Sequence, residues 1–364
     1  MGLGQGALEA VVSPPDDNFW RGRRVLVTGH TGFKGGWLAI WLAQLGAEVT
    51  GLALPPATKP DLFTLADVQR GLSHRLCDIR DRAAVAGIVA EARPELVFHL
   101  AAQPLVRAGY AAPVETFDTN VMGTVNLLEA CRNAPGLRVV VVVTTDKVYR
   151  NLERPDPYRE DDPLGGHDPY SASKAAAEIV TASYRDSYLA QAGIAVATAR
   201  AGNVIGGGDW SDDRLLPDAV RSWQAGTTLD VRRPDAVRPW QHVLEATYAY
   251  LRLAETLWTR PDLASPYNFG PDTTEVAPVR AVIDLARAAY GAGETRFGAV
   301  DAGPHEAGLL RLEIAKARAV LGLAPRWPLA EAVRRTMAWY RALHDGANAR
   351  ALCEADIRAF ELVA

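Results

Sequence analysis

Two short clusters carry the side chains of this 364-residue sequence that are best suited to chemistry. One is Thr145-Asp146-Lys147, a hydroxyl, a carboxyl and an amine in a row; the other is Tyr170-Ser171-Ala172-Ser173-Lys174, which sets a phenol four positions before an amine. Positions four apart on a helix share a face, so Tyr170 and Lys174 can point together. A cationic amine beside a phenol favours the phenolate and lowers its pKa from about 10, which predicts a base usable near neutral pH. Lysines are scarce: only positions 34, 59, 147, 174 and 316 carry one, among 39 basic residues. In a chain that uses arginine wherever a positive charge suffices, an amine at a motif position suggests a group that must be able to lose its proton.

Each cluster needs an element to hold it. Val139-Val140-Val141-Val142-Val143 runs into Thr144 and the first cluster. Five β-branched apolar residues in succession predict a strand buried on both faces of a parallel sheet. The polar triplet then falls at the strand's C-terminal end, the edge where open α/β sheets bind ligands. Tyr170 opens an alanine-rich stretch that reads as a helix.

A second site is legible near the start. Residues 24–28 read as a buried strand, followed by Gly29-His30-Thr31-Gly32-Phe33-Lys34-Gly35 and an apolar run over 37–45. Strand, glycine-rich turn and helix in this order predict a nucleotide site. The first glycine permits a tight turn, the second lets backbone N–H groups approach a pyrophosphate, and the third lets helix and sheet pack closely. The helix N-terminus adds its positive dipole end. Further strands are expected at 48–54, at a run ending at 77–81, at 96–100 and at 194–199. After the second strand, Leu52-Ala53-Leu54-Pro55 offers neither an acid for a ribose nor an arginine for a 2′-phosphate, which leaves NAD and NADP both open at that point. The helix expected over about 113–132 carries Phe117, Val121, Val125 and Leu128 as a core-facing stripe, with Asn120 and Thr124 near it.

Beyond Arg200-Ala201-Gly202-Asn203 and the glycine-rich loop up to Trp210, the strand–helix alternation stops. The fold expected is α/β: a doubly wound (Rossmann), mostly parallel sheet with a smaller C-terminal substrate-binding domain. Residues 1–18 read as a loose extension, 19–202 with 236–265 as the dinucleotide-binding domain, and 203–235 with 266–364 as a cap over the strand ends. Its arginines, Arg214, Arg232, Arg233 and Arg238, suit a pyrophosphate.

Composition narrows the function classes. A content of 48% hydrophobic residues supports a sizeable core. A net charge of −4 argues against nucleic acid or an anionic membrane as the main partner and leaves small anionic ligands in play. Cys77, Cys131 and Cys353 are far apart and odd in number, so neither a disulfide framework nor a structural zinc is expected, and no metal is assigned. The sequence has no secretory signal and no apolar run approaching the roughly 20 residues of a membrane span, which makes the cytoplasm the default location.

Taken together, the loop at 29–35, Asp78-Ile79, Leu100-Ala101-Ala102, Asn120-Val121-Met122-Gly123-Thr124, Thr145, the Tyr170–Lys174 pair and Arg200-Ala201-Gly202-Asn203 resemble the extended short-chain dehydrogenase/reductase family over about 19–340. Within it, the glycine loop, Thr144-Thr145-Asp146-Lys147, Gly206-Gly207-Gly208-Asp209-Trp210 and Arg238-Pro239-Trp240-Gln241-His242-Val243 are similar to nucleotide-sugar 4,6-dehydratases of the CDP-sugar branch. The resemblance implies a tightly held, recycled NAD contacted by Gly29, Thr31, Gly32, Phe33, Lys34, Gly35, Asp78, Ile79, Leu100, Ala101, Ala102, Asn120, Thr144, Tyr170 and Lys174. It implies a nucleotide sugar held by Gln103, Asn203, Arg214, Arg232 and Arg238, and a homodimer or homotetramer.

The same resemblance assigns roles. Tyr170, assisted by Lys174 and Thr145, would take the proton of the sugar's 4-hydroxyl while carbon-4 gives up hydride. Lys147 would then remove the carbon-5 proton and Asp146 would protonate the departing 6-hydroxyl. Such neighbours prefer to form an ion pair, so the active form requires the proton to sit on the carboxyl and not on the amine. A 4-epimerase of the same fold would need only the Tyr170 group, and a non-catalytic NAD(P)-sensing protein would need none of these residues.

Overall fold

The computed structural model describes residues 14–298 and 307–363. The extension expected over 1–18 lies outside these up to residue 13, and what lies inside is anchored. Asp16 caps a single helical turn, Asp17–Trp20, and its N–H donates to Glu255 Oε1 at 3.0 Å. Trp20 is fully buried, and its Nε1 donates to the same oxygen at 2.7 Å.

Seven strands form the central sheet: β1 (Arg24–Thr28), β2 (Glu48–Ala53), β3 (Leu72–Leu76), β4 (Leu96–His99), β5 (Val139–Val143), β6 (Ala195–Ala201) and β7 (Tyr267–Phe269). Their spatial order is β7-β6-β5-β4-β1-β2-β3, and every pairing is parallel. The order reverses between β1 and β4, which opens a crevice at their C-terminal ends. The third strand stops at Leu76, short of the 77–81 expected, and Asp78 instead begins the turn whose Asp81 caps the helix Arg82–Ala92. The edge strand β7 pairs with residues 199–201 and lies past position 265, so the sheet takes its last strand from the segment that sequence patterning gave to the cap.

The valine strand divides its side chains between two cores. Val139, Val141 and Val143 join the larger one, with Trp37, Ile40 and Trp41 of the helix Phe33–Gln44 and with Leu244 and Leu251 of Val243–Thr259. Val140 and Val142 join the other, with Val85 and Val89 of Arg82–Ala92 and with Leu127 and Leu128 of Gly123–Arg132. Period-two alternation with helices on both faces leaves all five valines buried.

The helix expected over 113–132 exists, but its buried face differs. It runs as Pro113–Phe117, a wide π turn at Asp118–Met122, then Gly123–Arg132. Thr116, Asn120, Thr124 and Leu128 are buried, whereas Phe117 and Met122 are exposed. The π turn inserts an extra residue and rephases the helix, and its inner face meets polar loops, so polar residues occupy it.

The helix Leu215–Gln224 and the strand Leu229–Val231, paired in parallel with Thr295–Phe297, face the cavity at the strand ends; Val279–Tyr290 packs against Leu215–Gln224, and Leu329–His344 packs against Val279–Tyr290. Among the described residues, no helix is long and apolar enough to cross a membrane, no group of three His, Cys, Asp or Glu could hold a metal, and all three cysteines are free thiols.

Candidate active site

The crevice deepens into a cavity of about 980 Å³ between the strand ends and the overlying helices. At its floor, the glycine loop is tight for steric reasons. Gly29 has φ +79°, and a Cβ there would sit 2.7 Å from Ala101 N. At Gly35 a Cβ would meet Gly29 O at 2.1 Å, so the loop closes directly onto the first helical turn. Gly32 is the N-cap of Phe33–Gln44 with no side-chain cap, which leaves the positive end of a 12-residue helix open to the cavity. Thr31 ties the loop to the end of β2, its hydroxyl donating to Leu54 O at 2.8 Å.

Lys34 also lines the cavity and has no hydrogen bond or ion pair among the described residues. Its side chain keeps partial exposure within the cavity, yet desolvation, with the charges of Lys174 and Arg214, lowers its ammonium to about 7 against the pull of Asp146 and Asp209. Beneath the loop, sequence patterning missed a histidine pair: His30 Nε2 lies 2.7 Å from His74 Nδ1. Burial first, and His74 second, lower His30 to about 4, so the pair is neutral at physiological pH.

A second unforeseen network fixes the loop after β4. Thr28 Oγ1 lies 2.7 Å from His99 Nδ1 and accepts the N–H groups of Leu100 and Ala101, each at 3.1 Å. His99 Nε2 is 3.0 Å from Thr124 Oγ1, which donates to Asn120 O at 2.7 Å. Those bonds assign the proton to Nε2, and burial, aided by the Lys174 charge, lowers His99 to about 3. Leu100, Ala101 and Ala102 therefore line the cavity in one rigid conformation, and Asp78 and Ile79 line it nearby. Asp78 is paired with Arg80, whose hydrogen bonds hold its carboxyl below the usual range.

Two residues assigned to ligands from the sequence do something else. Asn120 Oδ1 accepts Gln103 N–H at 2.8 Å, and its Nδ2 donates to Gln103 O and Ser173 Oγ. Gln103 Nε2 donates to Thr116 Oγ1 at 2.9 Å and its Oε1 accepts Leu105 N–H at 2.6 Å. Neither lines the cavity. Both brace the wall behind it, because this face of the rephased helix is where the loop's backbone needs partners.

The two reactive clusters meet at the end of β5. Thr145 Oγ1 donates to Asp146 Oδ1 at 2.9 Å, and Thr145, Asp146, Lys147 and Tyr170 all line the cavity. Lys147 Nζ lies 3.7 Å from Asp146 Oδ1 and is part exposed, whereas the Asp146 carboxyl is buried. Asp168 caps the helix Pro169–Tyr184 by accepting Ser171 N–H, which sets Tyr170 in the first turn and Lys174 one turn on.

The expected electrostatics of the Tyr170–Lys174 pair do not hold. Lys174 Nζ donates to Val143 O at 2.9 Å, and burial raises the Tyr170 phenol above its ordinary value while Thr145 and Arg214 act to lower it. Lys174 is itself lowered to about 8 by burial, opposed by Glu178. Burial dominates because both groups are set into the cavity floor with little surface exposed.

Thr144 lines the cavity, but its hydroxyl donates to Glu178 Oε1 at 2.5 Å. Glu178 Oε2 accepts from Thr198 at 2.6 Å and from Arg200 at 2.8 Å, in an ion pair whose members are each 2% exposed. This buried network ties β5, β6 and the Tyr170 helix together; the sequence marked Arg200 only as part of a motif.

From above, Asn203, Arg214, Arg232 and Arg238 all line the cavity. Asn203 Oδ1 is buried with no hydrogen-bond partner. Arg214 donates to Pro104 O at 3.2 Å, Arg232 to Asp213 Oδ1 at 3.1 Å, and Arg238 to the carbonyls of Val237 and Ala307.

Residues 25–264 match the model of the NAD dependent epimerase/dehydratase family. The chain is 44% identical over 333 residues to a CDP-glucose 4,6-dehydratase of Salmonella typhimurium, which covers 90% of this chain and 93% of that protein. It is 28% identical to a dTDP-glucose 4,6-dehydratase of Xanthomonas campestris, covering 86% of this chain and 92% of the relative. Among solved structures, a Thermus thermophilus UDP-glucose 4-epimerase in complex with NAD superposes with a TM-score of 0.74 at 28% identity, covering 87% of this chain and 98% of the other.

Proposed function

This chain belongs to the NAD dependent epimerase/dehydratase family, and from that premise we propose that it converts CDP-glucose to CDP-4-keto-6-deoxyglucose and water, with NAD as a recycled cofactor. The observation that carries the reading is the pairing of Asp146 and Lys147 beside Tyr170 at the cavity floor. An epimerase has no need of this second acid and base.

The cavity suits a dinucleotide. Gly29 and Gly35 leave no room for side chains where the loop closes, and an uncapped helix N-terminus at Gly32 offers free N–H groups to a diphosphate. The chemistry NAD supplies when bound is reversible acceptance of a hydride, with no net consumption. Tyr170, whose phenol Thr145 and Arg214 act to make more acidic against its burial, accepts the proton of the sugar's 4-hydroxyl. A ketone at carbon-4 acidifies the neighbouring carbon-5 proton, which Lys147 removes. Asp146 gives its proton to the departing 6-hydroxyl; carbon-6 then regains the hydride given up at carbon-4 as Lys147 returns the proton to carbon-5, and the proton taken up by Tyr170 is exchanged to restore Asp146. Lys174 and Glu178 position this group from behind, and Asn203, Arg214, Arg232 and Arg238 hold the nucleotide from above.

We assign the NAD-binding half to residues 19–202 and 236–265, extended through β7, and the nucleotide-sugar half to the remaining cap. A homodimer or homotetramer is supported by apolar side chains exposed on two packed helical segments, Val114, Phe117 and Met122 on one and Ile179 on the other. Three free cysteines accord with a cytoplasmic setting.

The test is a panel of CDP-, dTDP-, UDP- and GDP-glucose with product analysis. A 4-keto-6-deoxy sugar from CDP-glucose, formed without stoichiometric loss of NAD, is expected. Interconversion of UDP-glucose and UDP-galactose without dehydration would replace this reading with the epimerase one.

A further inference from the structure

Asp213 lies in the loop before the helix Leu215–Gln224 and holds two arginines from separate parts of the chain. Arg107, in the helix Val106–Ala111 behind β4, places Nε 3.5 Å from Asp213 Oδ1. Arg232, just past the strand Leu229–Val231, places NH2 3.1 Å from the same oxygen. All three residues line the cavity. The next residue, Arg214, fastens the same loop to the same wall through Pro104 O.

The arrangement is unbalanced in a particular way. One carboxylate oxygen serves two guanidinium groups, and Arg107 Nε remains buried without a hydrogen bond. Two positive charges therefore share one negative charge at the mouth of a cavity that opposes them with a helix N-terminus. Asp213 also sits at φ +58°, a left-handed conformation that L residues other than Asn and Asp seldom adopt.

We propose that Arg107 and Arg232 form the subsite for the diphosphate of the nucleotide ligand, and that Asp213 occupies it until the ligand displaces it. This rests on the nucleotide-sugar reading above and adds to it an arginine the sequence did not mark and an internal competitor. Carboxylate and phosphate oxygens make the same charge-assisted hydrogen bonds to a guanidinium. A diphosphate brings more charge and more acceptors, including one for Arg107 Nε, which the carboxylate leaves unsatisfied. The exchange keeps both arginines paired with an anion throughout, so the empty cavity is not left with bare like charges facing each other.

Asp213→Asn separates competition from construction. Asparagine has the same shape and tolerates the left-handed conformation, so the substitution removes the charge alone. Calorimetric titration with CDP, UDP and cytidine, on variant and parent protein with matched thermal unfolding, reads the outcome. The dissociation constants of the diphosphates are expected to fall about 2- to 10-fold, the range set by losing two part-exposed ion pairs, with a steeper salt dependence and no change for cytidine. Adding Arg107→Ala should abolish the gain. Weaker or unchanged diphosphate binding in Asp213→Asn would overturn the proposal, since Asp213 would then be building the site, and so would a parallel tightening of cytidine or a gain that survives Arg107→Ala. The parent protein's preference between CDP and UDP tests the nucleotide reading separately, because the variant-to-parent ratio is read on either diphosphate.

Discussion

Lys147 Nζ stands 3.7 Å from one oxygen of Asp146, and the other oxygen, Oδ2, is buried without a hydrogen-bond partner above Gly202. A Cβ at position 202 would come within 2.9 Å of that oxygen. The carboxyl thus keeps one oxygen for the amine and Thr145 and leaves the other uncommitted, as a group that must pass a proton to a substrate requires.

Lys147→Arg should separate elimination from oxidation. Arginine keeps the charge and approximate reach but stays protonated in proteins, so it cannot act as a base. Oxidation at carbon-4, read as a primary isotope effect with carbon-4-deuterated substrate, should persist, while deuterium entry at carbon-5 in heavy water collapses. Normal deuterium entry with normal product would make Lys147 a binding charge and move the base elsewhere.

Tyr170→Phe should cut carbon-4 oxidation by about 10²-fold or more, the usual scale for losing a general base. Burial raises the phenol above its ordinary value, so the deprotonated form becomes more abundant as pH rises. The parent enzyme should therefore quicken between neutral and alkaline pH, and the Phe variant should show a flat residual rate over that range.

Glu245 gives a stability prediction. Its carboxyl, raised to about 7 chiefly by burial, accepts the N–H groups of Arg326 and Trp327. The folded state holds this proton more tightly than the unfolded state, so the contribution is present below the unfolded pKa and is lost as pH rises toward 7. Glu245→Gln keeps an oxygen for both N–H groups and no longer titrates. Its thermal midpoint should exceed the parent's at pH 8 and approach it at pH 5; a lower midpoint at pH 8 would show that the charge is needed for Arg326.

Arg200→Met removes one partner of the buried pair with Glu178. An uncompensated buried carboxylate costs about 3–5 kcal/mol. Urea denaturation at neutral pH should show a loss of that order, and the double change Arg200→Met with Glu178→Leu should recover part of it. Full stability in the single variant would mean that water reaches Glu178.

What the sequence revealed and what it hid divide along physical lines. The valine run, the glycine turn and the 170–174 pair are local patterns, in which neighbouring residues determine backbone shape and facing, and the structure contains each one. Strand ends shifted by a few residues, as at Leu76, because termination depends on the cap that follows. The π turn at Asp118–Met122 could not be read from an apolar stripe, since the stripe assumes an unbroken 3.6-residue period. Thr28 with His99 and Thr124, Glu178 with Arg200, and Arg107 with Asp213 are partnerships across long stretches of chain. The only sequence signal for any of them was a charged or polar residue in an apolar stretch, as with His99 at the end of a strand or Glu178 on an alanine-rich helix.

The parallel sheet also sets an order in time. No two neighbouring strands are joined by a hairpin, so Val25, which can pair early with Val49, must wait for Leu96 on its other side, and Ala199, which can pair with Val143, must wait for Tyr267. During synthesis the nucleotide loop emerges first and Arg232 and Arg238 emerge long after it, while β7 closes the edge later still. A nascent chain halted before β7 would carry all the glycines of the loop beneath an unfinished sheet, with an exposed edge on β6 and much of the overlying cap still to come. The cavity is therefore acquired late, and ligands that bridge its floor and roof can recognise only chains already extended past Leu310.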